Sequence, residues 1–528
     1  MTTILLICAV LLLACVLAQR ISDRVGLPAL LLFMLLGMLC GSDGILKISF
    51  QNLELTEQVC SAALIFIMFY GGFCTNWKTA RPIAGKAAVL STAGVVLTAL
   101  LTCAFCYFVL KFPIAESFLI GAVISSTDAA SVFSILRSKK LSLKYGTASM
   151  LEIESGSNDP VAYMLTMIGL SLMKGEEVSV PYLIFAQVTY GAVIGILAAL
   201  AGIWLLRKFQ DTLGDGRDTI FVIALVLIAY ALPTSIGGNG YLSVYLAGIF
   251  MGNHKIPNKI PLVHFFDGIT GLAQILIFFL LGLLSFPHRI PQIFLPALAI
   301  ALFLLVVARP IAVCLLMAPA RCGLRQCLLV SWAGLRGAAS IVFAIMAMAS
   351  GASLEGDLFH IVFMVSILSV LVQGTLLPWM ARRLDMVDEE TDINKTFNDY
   401  QEEPAITLMR MFIPKGHNWE YKKISQVGMP TGSLALMIKR GEETIIPKGD
   451  TVIQPGDSVI LSVPSYEDGD MNLQELCVDA NHEWCNRTIE ELHLPDETLV
   501  VLIKRGKENI IPMGKTRIRE QDVLVMYQ

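Results

Sequence analysis

The chain has 528 residues, of which 55% are hydrophobic and 16% are charged, and its mean hydropathy is +0.67. Soluble domains carry about 25% charged residues, so this composition excludes an ordinary soluble protein. Residues 1–387 hold 24 Lys and Arg against 18 Asp and Glu, whereas residues 388–528 hold 15 against 25. The resulting net charges of +6 and −10 add to the overall −4. They predict an apolar, slightly basic body followed by an acidic tail, which argues against nucleic acid as a partner.

Thirteen apolar segments of the body are candidates for membrane spans, because a spanning helix needs about 20 mostly apolar residues. They cover residues 1–19, 27–46, 56–75, 86–110, 115–136, 147–173, 180–206, 219–234, 240–252, 266–286, 290–318, 325–350 and 357–381. We therefore predict an all-α polytopic membrane domain of about 13 transmembrane helices, some of them discontinuous, over residues 1–385.

The basic residues of the loops orient these spans. With the N-terminus outside, the inside loops and the end of the last span hold 18 Lys and Arg, and the outside loops hold four. Loops rich in Lys and Arg stay in the cytoplasm, so the asymmetry favours an odd number of spans. It predicts that the N-terminus is outside and that the acidic tail is cytoplasmic.

The charged residues that we consider for a role deep in the predicted spans are Asp128, Glu154, Asp159, Arg309 and Arg336. An ionised group at the bilayer centre costs at least ~2.5 kcal/mol, so such groups are usually functional. Asp159 lies 15 residues from both Lys144 and Lys174, on opposite sides of the membrane. At about 1.5 Å per residue, this spacing puts its carboxyl group near the midplane.

Glu154 and Arg336 are predicted to form an ion pair between helices. Glu154 lies ten residues in from Lys144, and Arg336 lies eleven in from Arg325 on the same side, so their depths match. Pairing makes both charges tolerable in a membrane, which favours a structural role over direct ion binding. Arg309 precedes a proline, and no role is assigned to it.

Polar residues surround the two central aspartates. In the sixth span, Ser155 and Asp159 are four residues apart and share a helix face, and Pro160 frees a carbonyl one turn earlier. The fifth span carries the polar run 125–128. There a helix can unwind and expose carbonyl groups to a cation.

A small hard cation prefers oxygen ligands, which Asp159, Ser155, Asp128 and the Thr127 carbonyl can supply. One carboxylate that binds either a cation or a proton is sufficient for exchange, and burial favours its protonated form enough for protons to compete. The alternative is a helix-packing network of Ser, Asn and Thr side chains. That alternative explains the hydroxyl groups but not two aspartates near the midplane.

With these motifs the body resembles the NhaP branch of the monovalent cation:proton antiporter superfamily, over about residues 1–385. The motifs that carry the resemblance are residues 125–130, 152–160 and 334–338. The resemblance implies inverted repeats, a mobile core, a homodimer and residence in a bacterial cytoplasmic membrane. It also implies a stabilising ion pair between Glu154 and Arg336.

The same resemblance implies a site for the cation and the proton. It assigns cation and proton binding to Asp159, Ser155, Thr127 and Asp128, with the metal ion held by Asp159, Ser155 and Thr127. It gives Asn158 the place of the asparagine in the Asn-Asp pair typical of electroneutral exchangers. One position departs from the family, because relatives often carry a carboxylate where this chain has Tyr70. The missing negative ligand favours K⁺, with Na⁺ the other candidate.

The tail contains an internal repeat. Residues 386–403 are predicted to form a linker, and residues 417–461 match the segment 65 positions later at 17 of 45 positions. Each copy, 404–465 and 466–528, is predicted to have a short helix, strands around a Lys-Arg-Gly turn, and a strand that ends near Gly456 or Gln521. The pattern resembles two RCK-C (TrkA-C) regulatory domains of α+β type.

That resemblance implies a small regulatory ligand, with cyclic di-AMP or another nucleotide as the candidate. Arg440 and Arg505 are candidates to pair with phosphates, and the apolar turns that follow them are candidates to pack on bases. The candidate turn residues are Ile446, Pro447, Asn509, Ile511 and Pro512. The alternative is that all of these residues form a hairpin and its core.

The predicted function is secondary active antiport of K⁺ or Na⁺ against H⁺, regulated through the tail. No HEXXH, GxSxG or P-loop motif occurs, so we expect neither an enzyme nor an ATP-driven pump. No cofactor is expected besides the transported ions, and the expected partners are the lipid bilayer, a second copy and a small-molecule ligand. A ligand-gated monovalent cation channel is the alternative.

Overall fold

A computed structural model describes two compact units, Met1–Gln401 and Glu402–Gln528. The described residues are 2–25, 28–139, 141–175, 179–209, 216–319, 322–351, 356–388, 406–429, 433–441, 443–464, 473–478, 484–492, 494, 499–505, 508–510, 512–520 and 522–527.

The first unit is built almost entirely of helices. They are α1 (Thr2–Val25), α2 (Ala29–Cys40), α3 (Leu53–Cys74), α4 (Trp77–Val89), α5 (Val95–Phe108), α6 (Ile114–Ile124), α7 (Ala129–Ser138), α8 (Thr147–Lys174), α9 (Val180–Lys208), α10 (Arg217–Ser235), α11 (Gly240–Gly252), α12 (Lys259–Leu284), α13 (Ile290–Phe303), α14 (Arg309–Met317), α15 (Leu324–Trp332), α16 (Ala338–Ala349), α17 (Leu358–Ser369) and α18 (Thr375–Arg383). Each predicted span coincides with one of these helices or with a consecutive pair.

Seven continuous helical segments of the described residues are long and apolar enough to cross a membrane. They are Leu53–Cys74, Ala80–Phe108, Val180–Lys208, Arg217–Ser235, Lys259–Leu284, Pro287–Met317 and Leu358–Arg383. Three of the seven contain a single π-helical turn, at Leu90–Gly94, Leu304–Ala308 and Val370–Gly374. The predicted all-α membrane domain is confirmed.

Two spans are interrupted in the middle. Residues 125–128 separate α6 from α7, and residues 333–337 separate α15 from α16. Ser, Thr and Asp side chains compete with the backbone for hydrogen bonds, which explains the first break. The second contains Gly337, where a Cβ atom would lie 2.3 Å from an Asp128 carboxylate oxygen. Only glycine therefore allows the two extended segments to approach so closely.

The two breaks cross each other and share backbone hydrogen bonding. The Asp128 N–H donates to the Leu335 carbonyl at 2.8 Å. Peptide groups freed by unwinding must find partners inside the protein, because the membrane core offers no water. The unwinding predicted for the fifth span is present, whereas the matching break in the twelfth span was not predicted.

Helices α3 and α11 pack at close range through small residues. A Cβ atom on Gly72 would lie 2.3 Å from the Tyr245 carbonyl oxygen, and one on Gly248 would lie 2.4 Å from the Phe69 carbonyl oxygen. Small residues at helix contacts let backbones approach closely in membrane proteins. This contact fixes the position of Tyr245, which faces α8.

The predicted linker begins inside the first unit. Strand β1 (Ser142–Leu143) pairs antiparallel with β2 (Val387–Asp388). Residues 387 and 388 of the predicted linker therefore belong to the end of the membrane unit. Residues 389–403 of the predicted linker lie outside the described residues.

The described part of the second unit contains two four-stranded antiparallel sheets. The strands are β3 (Ile406–Phe412), β4 (Leu434–Arg440), β5 (Glu443–Ile445), β6 (Ser458–Pro464), β7 (Leu473–Cys477), β8 (Leu499–Arg505), β9 (Glu508–Ile510) and β10 (Val523–Tyr527). The strand orders are β3-β6-β4-β5 and β7-β10-β8-β9, which are the same order in each copy.

The two sheets also bury equivalent residues. Ile413, Ile438, Ile453 and Val459 form the first core, and the residues 65 positions later are buried in the second. One expectation was wrong, since β6 begins at Ser458 and does not end there. Gly456 has φ 91°, a left-handed conformation that makes this segment the turn before the strand.

Candidate functional site

Asp159 lies in the middle of α8, where the α6–α7 break packs against it. Its side chain is buried, with 6% exposure, and its Oδ1 accepts a hydrogen bond from the Ser126 hydroxyl. Among the residues that the structure describes, Ser126 is its hydrogen-bond partner. No described Lys or Arg forms an ion pair with Asp159.

The other predicted ligands meet at the same break. The Ser155 hydroxyl donates to the Thr127 carbonyl at 2.8 Å, and Asn158 Nδ2 lies 2.5 Å from Thr127 Oγ1. Ser155 and Asp159 are on one face of α8, as their spacing of four residues predicts. The structure therefore brings Asp159, Ser155, Asn158 and Thr127 together.

One oxygen beside Asp159 has no hydrogen-bond partner in the described part of the chain. It is Asn158 Oδ1, which is fully buried. Buried polar atoms are rarely left without a partner, because the loss of hydration costs about 1–3 kcal/mol. The oxygens of Asp159, Asn158, Ser155 and Thr127 form the kind of donor set that a hard cation prefers. The described residues contain no group of three His, Cys, Asp or Glu side chains that would hold another kind of metal.

Asp128 caps a helix at the crossing. Its Oδ1 accepts a hydrogen bond from the Ser131 N–H at 3.3 Å, and its Oδ2 accepts one from the Ser131 hydroxyl. The Asp128 carboxylate also faces Gly337. A carboxylate at a helix N-terminus interacts favourably with the free N–H groups and the helix dipole. Asp128 directly follows Thr127 in the same break.

Arg336 occupies the opposite end of the crossing. Its Nη1 donates to the Ser125 and Ser126 carbonyls, at 2.8 Å each. These carbonyls end α6, where the helix dipole is negative. The crossing thus places a positive charge on free carbonyl groups and a negative charge on free N–H groups.

The predicted ion pair between Glu154 and Arg336 is wrong. Glu154 Oε1 lies 2.5 Å from Arg309 Nη2, and the two side chains are 1% and 2% exposed. Equal depth gave Glu154 and Arg336 the same height in the membrane, but it did not determine which way each side chain points. The position of Glu154 around the axis of α8 turns its carboxylate toward α14. Arg309, for which no role was predicted, is therefore the ion-pair partner of Glu154.

Two further acidic residues in spans were missed. Asp267 was placed near the start of a span at residue 266, but α12 begins at Lys259, so Asp267 lies two turns inside the helix. The Tyr70 hydroxyl donates to Asp267 Oδ1 at 2.8 Å. Glu152 lies on α8, two turns before Asp159. A search for every carboxylate within the helices, with a wider margin at their ends, could have found both.

In the tail, the arginines proposed to contact phosphates are held by aspartates. Arg440 Nε and Nη2 donate to both carboxylate oxygens of Asp457, at 2.9 and 2.8 Å. Arg505 pairs with Asp522 in the same way, at 2.8 and 2.6 Å. Both aspartate side chains are fully buried. These contacts favour the structural alternative for the two arginines.

The remaining ligand candidates of the tail are only partly described. Ile446 is 80% exposed, and the neighbouring Pro447 is partly exposed. Pro512, in the equivalent turn of the second copy, is also partly exposed. Ile511 and the side chain of Asn509 lie outside the described residues. A nucleotide site at these turns stays a prediction.

Comparison with known proteins adds an independent observation. Residues 8–383 match the transmembrane domain of the sodium/hydrogen exchangers, and residues 408–465 and 473–527 each match the TrkA-C domain. The chain belongs to the sodium/hydrogen exchanger family. The exchanger is thus a secondary transporter with two TrkA-C domains, and its predicted family is confirmed.

Relatives place the exchanger in the NhaP branch of cation:proton antiporters. It is 34% identical to the K(+)/H(+) antiporter NhaP of Alkalimonas amylolytica, over 87% of this chain and 80% of the relative. It is 33% identical to the K(+)/H(+) antiporter NhaP2 of Shewanella oneidensis, over 86% and 79%. The solved sodium proton antiporter MjNhaP1 of Methanocaldococcus jannaschii has the same fold, with a TM-score of 0.64 and 23% identity over 72% of this chain and 99% of that one.

Proposed function

We propose that the exchanger moves K⁺ against H⁺ across a bacterial cytoplasmic membrane, and that Asp159 binds the two ions alternately. The observation that carries the proposal is a buried carboxylate without a basic partner. Arg309 is held by Glu154, and Arg336 by the Ser125 and Ser126 carbonyls. The charge of Asp159 therefore has to be neutralised by an ion from solution.

Neutralisation explains why the two ions exclude each other. An isolated carboxylate in a water-free environment is strongly unfavourable, and it becomes tolerable when it gains a proton or pairs with a cation. A proton on Asp159 removes the negative charge that a cation needs, and a bound cation displaces the proton. The loaded forms are the ones that can pass through a closed, dry state, so each crossing carries one ion or the other.

The names of two relatives support K⁺ as the exchanged cation. Both relatives, which are 34% and 33% identical to the chain, are named K(+)/H(+) antiporters. The absence of a carboxylate at Tyr70 does not decide between the cations, because Asp267 supplies a carboxylate beside its hydroxyl. Na⁺ is the alternative cargo.

The tail supports a regulatory role. Two TrkA-C domains follow the membrane unit, and we propose that they bind a small ligand such as cyclic di-AMP in a homodimer of the exchanger. Since Arg440 and Arg505 are engaged by buried aspartates, the exposed turn at Ile446 and Pro447 is the better candidate for ligand contact. Calorimetric titration of the full-length protein with cyclic di-AMP tests this, and no heat with wild type would contradict it.

The central experiment measures proton flux driven by a K⁺ gradient in proteoliposomes. Asp159→Asn should abolish K⁺-dependent proton flux, because the amide cannot take up a proton. Asp218→Asn is a matched control, since Asp218 is a similarly buried aspartate in the first turn of α10. K⁺/H⁺ exchange that survives in Asp159→Asn would refute the mechanism, and K⁺ current without proton movement would indicate the channel alternative.

A further inference from the structure

Glu152 is a carboxylate to which the exchange mechanism assigns no role. It lies on α8 seven residues before Asp159, which is about 10 Å along the helix, and its side chain is half-buried. Glu154, two residues further on, has Arg309 as its partner, whereas the described residues offer Glu152 no hydrogen bond or ion pair. A carboxylate within a spanning helix that lacks such a partner marks an ion path.

Tyr245 lies between Glu152 and Asp159. Its side chain is 2% exposed and packs on α8 so closely that a Cβ atom on Gly156 would lie 2.6 Å from its ring. Its hydroxyl is near the Ser157 hydroxyl, yet it makes no hydrogen bond of ordinary geometry with any described residue. The ring thus contacts α8 at Gly156, which lies between Glu152 and Asp159 in the sequence.

A second acidic group approaches the same space from α12. Asp267 accepts a hydrogen bond from the Tyr70 hydroxyl at 2.8 Å. The backbone of Tyr245 packs on α3 two residues after Tyr70, and its ring packs on α8 one turn after Glu152. Glu152 and the Tyr70–Asp267 pair therefore approach one region around Tyr245 from different helices. With Lys259 included, the formal charge of this region is −1, which matches one monovalent cation.

This region lies on the predicted cytoplasmic side of Asp159. Lys144 precedes α8 and Lys259 begins α12, and both belong to the loops that the distribution of basic residues places inside. An ion moving from the cytoplasm to Asp159 would therefore pass Glu152 and Tyr245.

We propose that Glu152, Tyr245 and the Tyr70–Asp267 pair form a second monovalent-cation position on the cytoplasmic side of Asp159. There the cation exchanges part of its water for protein oxygens before it reaches Asp159. The Tyr70 hydroxyl positions Asp267, and the Tyr245 hydroxyl supplies a neutral ligand between the two sites. This proposal rests on the proposed exchange at Asp159.

The test uses the two orientations of membrane vesicles, because the proposal is specific to one side. In inside-out vesicles, which present the cytoplasmic face to the medium, Glu152→Gln should raise the KM for K⁺ about tenfold, as expected for the loss of one charge across a partly screened path. In right-side-out vesicles its KM for K⁺ should stay within about twofold of wild type, which also shows that the variant is folded. An unchanged KM at the cytoplasmic face, or an equal rise at both faces, would overturn the proposal.

Further variants separate this site from the rest of the protein. Asp267→Asn and Tyr70→Phe should raise the cytoplasmic KM in the same direction, with the smaller rise in Tyr70→Phe because only the positioning hydroxyl is lost. Glu57→Gln is the matched control, since Glu57 lies in α3 near the end opposite Tyr70 and accepts a hydrogen bond from the Ser61 hydroxyl. It should leave the cytoplasmic KM unchanged, and a rise equal to that of Glu152→Gln would contradict a local site.

Wild type and Asp159→Asn distinguish failure of this proposal from failure of the proposed function. If wild type exchanges K⁺ for H⁺, Asp159→Asn does not, and Glu152→Gln keeps the wild-type KM, the second position is refuted and the exchange mechanism stands. If wild type shows no K⁺/H⁺ exchange, the proposed function itself fails.

Discussion

The ion pair between Glu154 and Arg309 gives a prediction that discriminates between two possible partners of one carboxylate. The two side chains meet at 2.5 Å and are 1% and 2% exposed. Removal of one member of a buried pair leaves the other charge without compensation, which typically costs about 3–5 kcal/mol. We therefore expect both Glu154→Gln and Arg309→Met to lower the stability of the folded membrane unit by roughly this amount.

The double variant should recover much of the loss. With Glu154→Gln and Arg309→Met combined, no buried charge is left unpaired, so the two effects should fall short of additivity by about 2 kcal/mol or more. The measurement is a double-mutant cycle on the detergent-purified protein, with the unfolding midpoint and free energy followed by tryptophan fluorescence. If a single variant is too unstable to purify, its loss of stability is measured as a low yield of monodisperse protein. The double variant should restore this yield.

Arg336→Met supplies the matched cycle. Its guanidinium group donates to the Ser125 and Ser126 carbonyls, so the cycle of Glu154→Gln with Arg336→Met should show a clearly smaller coupling energy. A larger coupling of Glu154 to Arg336 than to Arg309 would refute the Glu154–Arg309 ion pair and restore Arg336, the partner expected from depth alone.

Two other predictions concern the crossing and the tail. Gly337→Ala should abolish exchange, because its Cβ atom would lie 2.3 Å from an Asp128 carboxylate oxygen, whereas Gly271→Ala, where a Cβ meets nothing within 4 Å, should retain flux in the same proteoliposome assay. A fully active Gly337→Ala would show that the crossing is looser than described. In the tail, desolvation opposes ionisation of Asp457, but the hydrogen bonds from Arg440 and its charge outweigh this and hold the pKa below the usual 3.8. The ionised pair therefore stabilises the sheet above about pH 4, and the contribution is lost as the pH falls through the lowered pKa. Hydrogen exchange of the full-length protein should show weaker protection of β4 and β6 in Asp457→Asn than in wild type at pH 7, and a difference that shrinks as the pH is lowered below 4. A difference of equal size at pH 7 and below pH 4 would mean that the carboxylate charge is not the cause.

Local spacing predicted much of the candidate site. Ser155 and Asp159 share a face because they are four residues apart, and the polar run before Asp128 indicated where a helix unwinds. These features depend on neighbours in sequence, and sequence shows them directly. The structure brings these residues together, and their role in ion binding stays a prediction.

Contacts between distant helices were less accessible. Depth gave Glu154 and Arg336 matching heights, but the rotation of each helix decides which side chains meet, and Glu154 meets Arg309. The missed Asp267 has a different cause, because the apolar pattern placed the start of α12 seven residues too late. In the tail, the repeat fixed the equivalence of the two copies, while the turn at Gly456 was mistaken for the end of a strand.

The charge balance of the crossing has a consequence for the electrical behaviour of the exchanger. Asp128 and Arg336 cap opposite helix ends, and Glu154 is matched by Arg309, so these four groups sum to zero. If they move as one body while Asp159 carries one K⁺ in one direction and one H⁺ in the other, these four groups add no charge to either half-cycle, and the charge of Glu152 on α8 moves equally in both directions. A complete exchange of one K⁺ for one H⁺ then transfers no net charge, so a voltage imposed across the vesicle membrane would not by itself drive exchange.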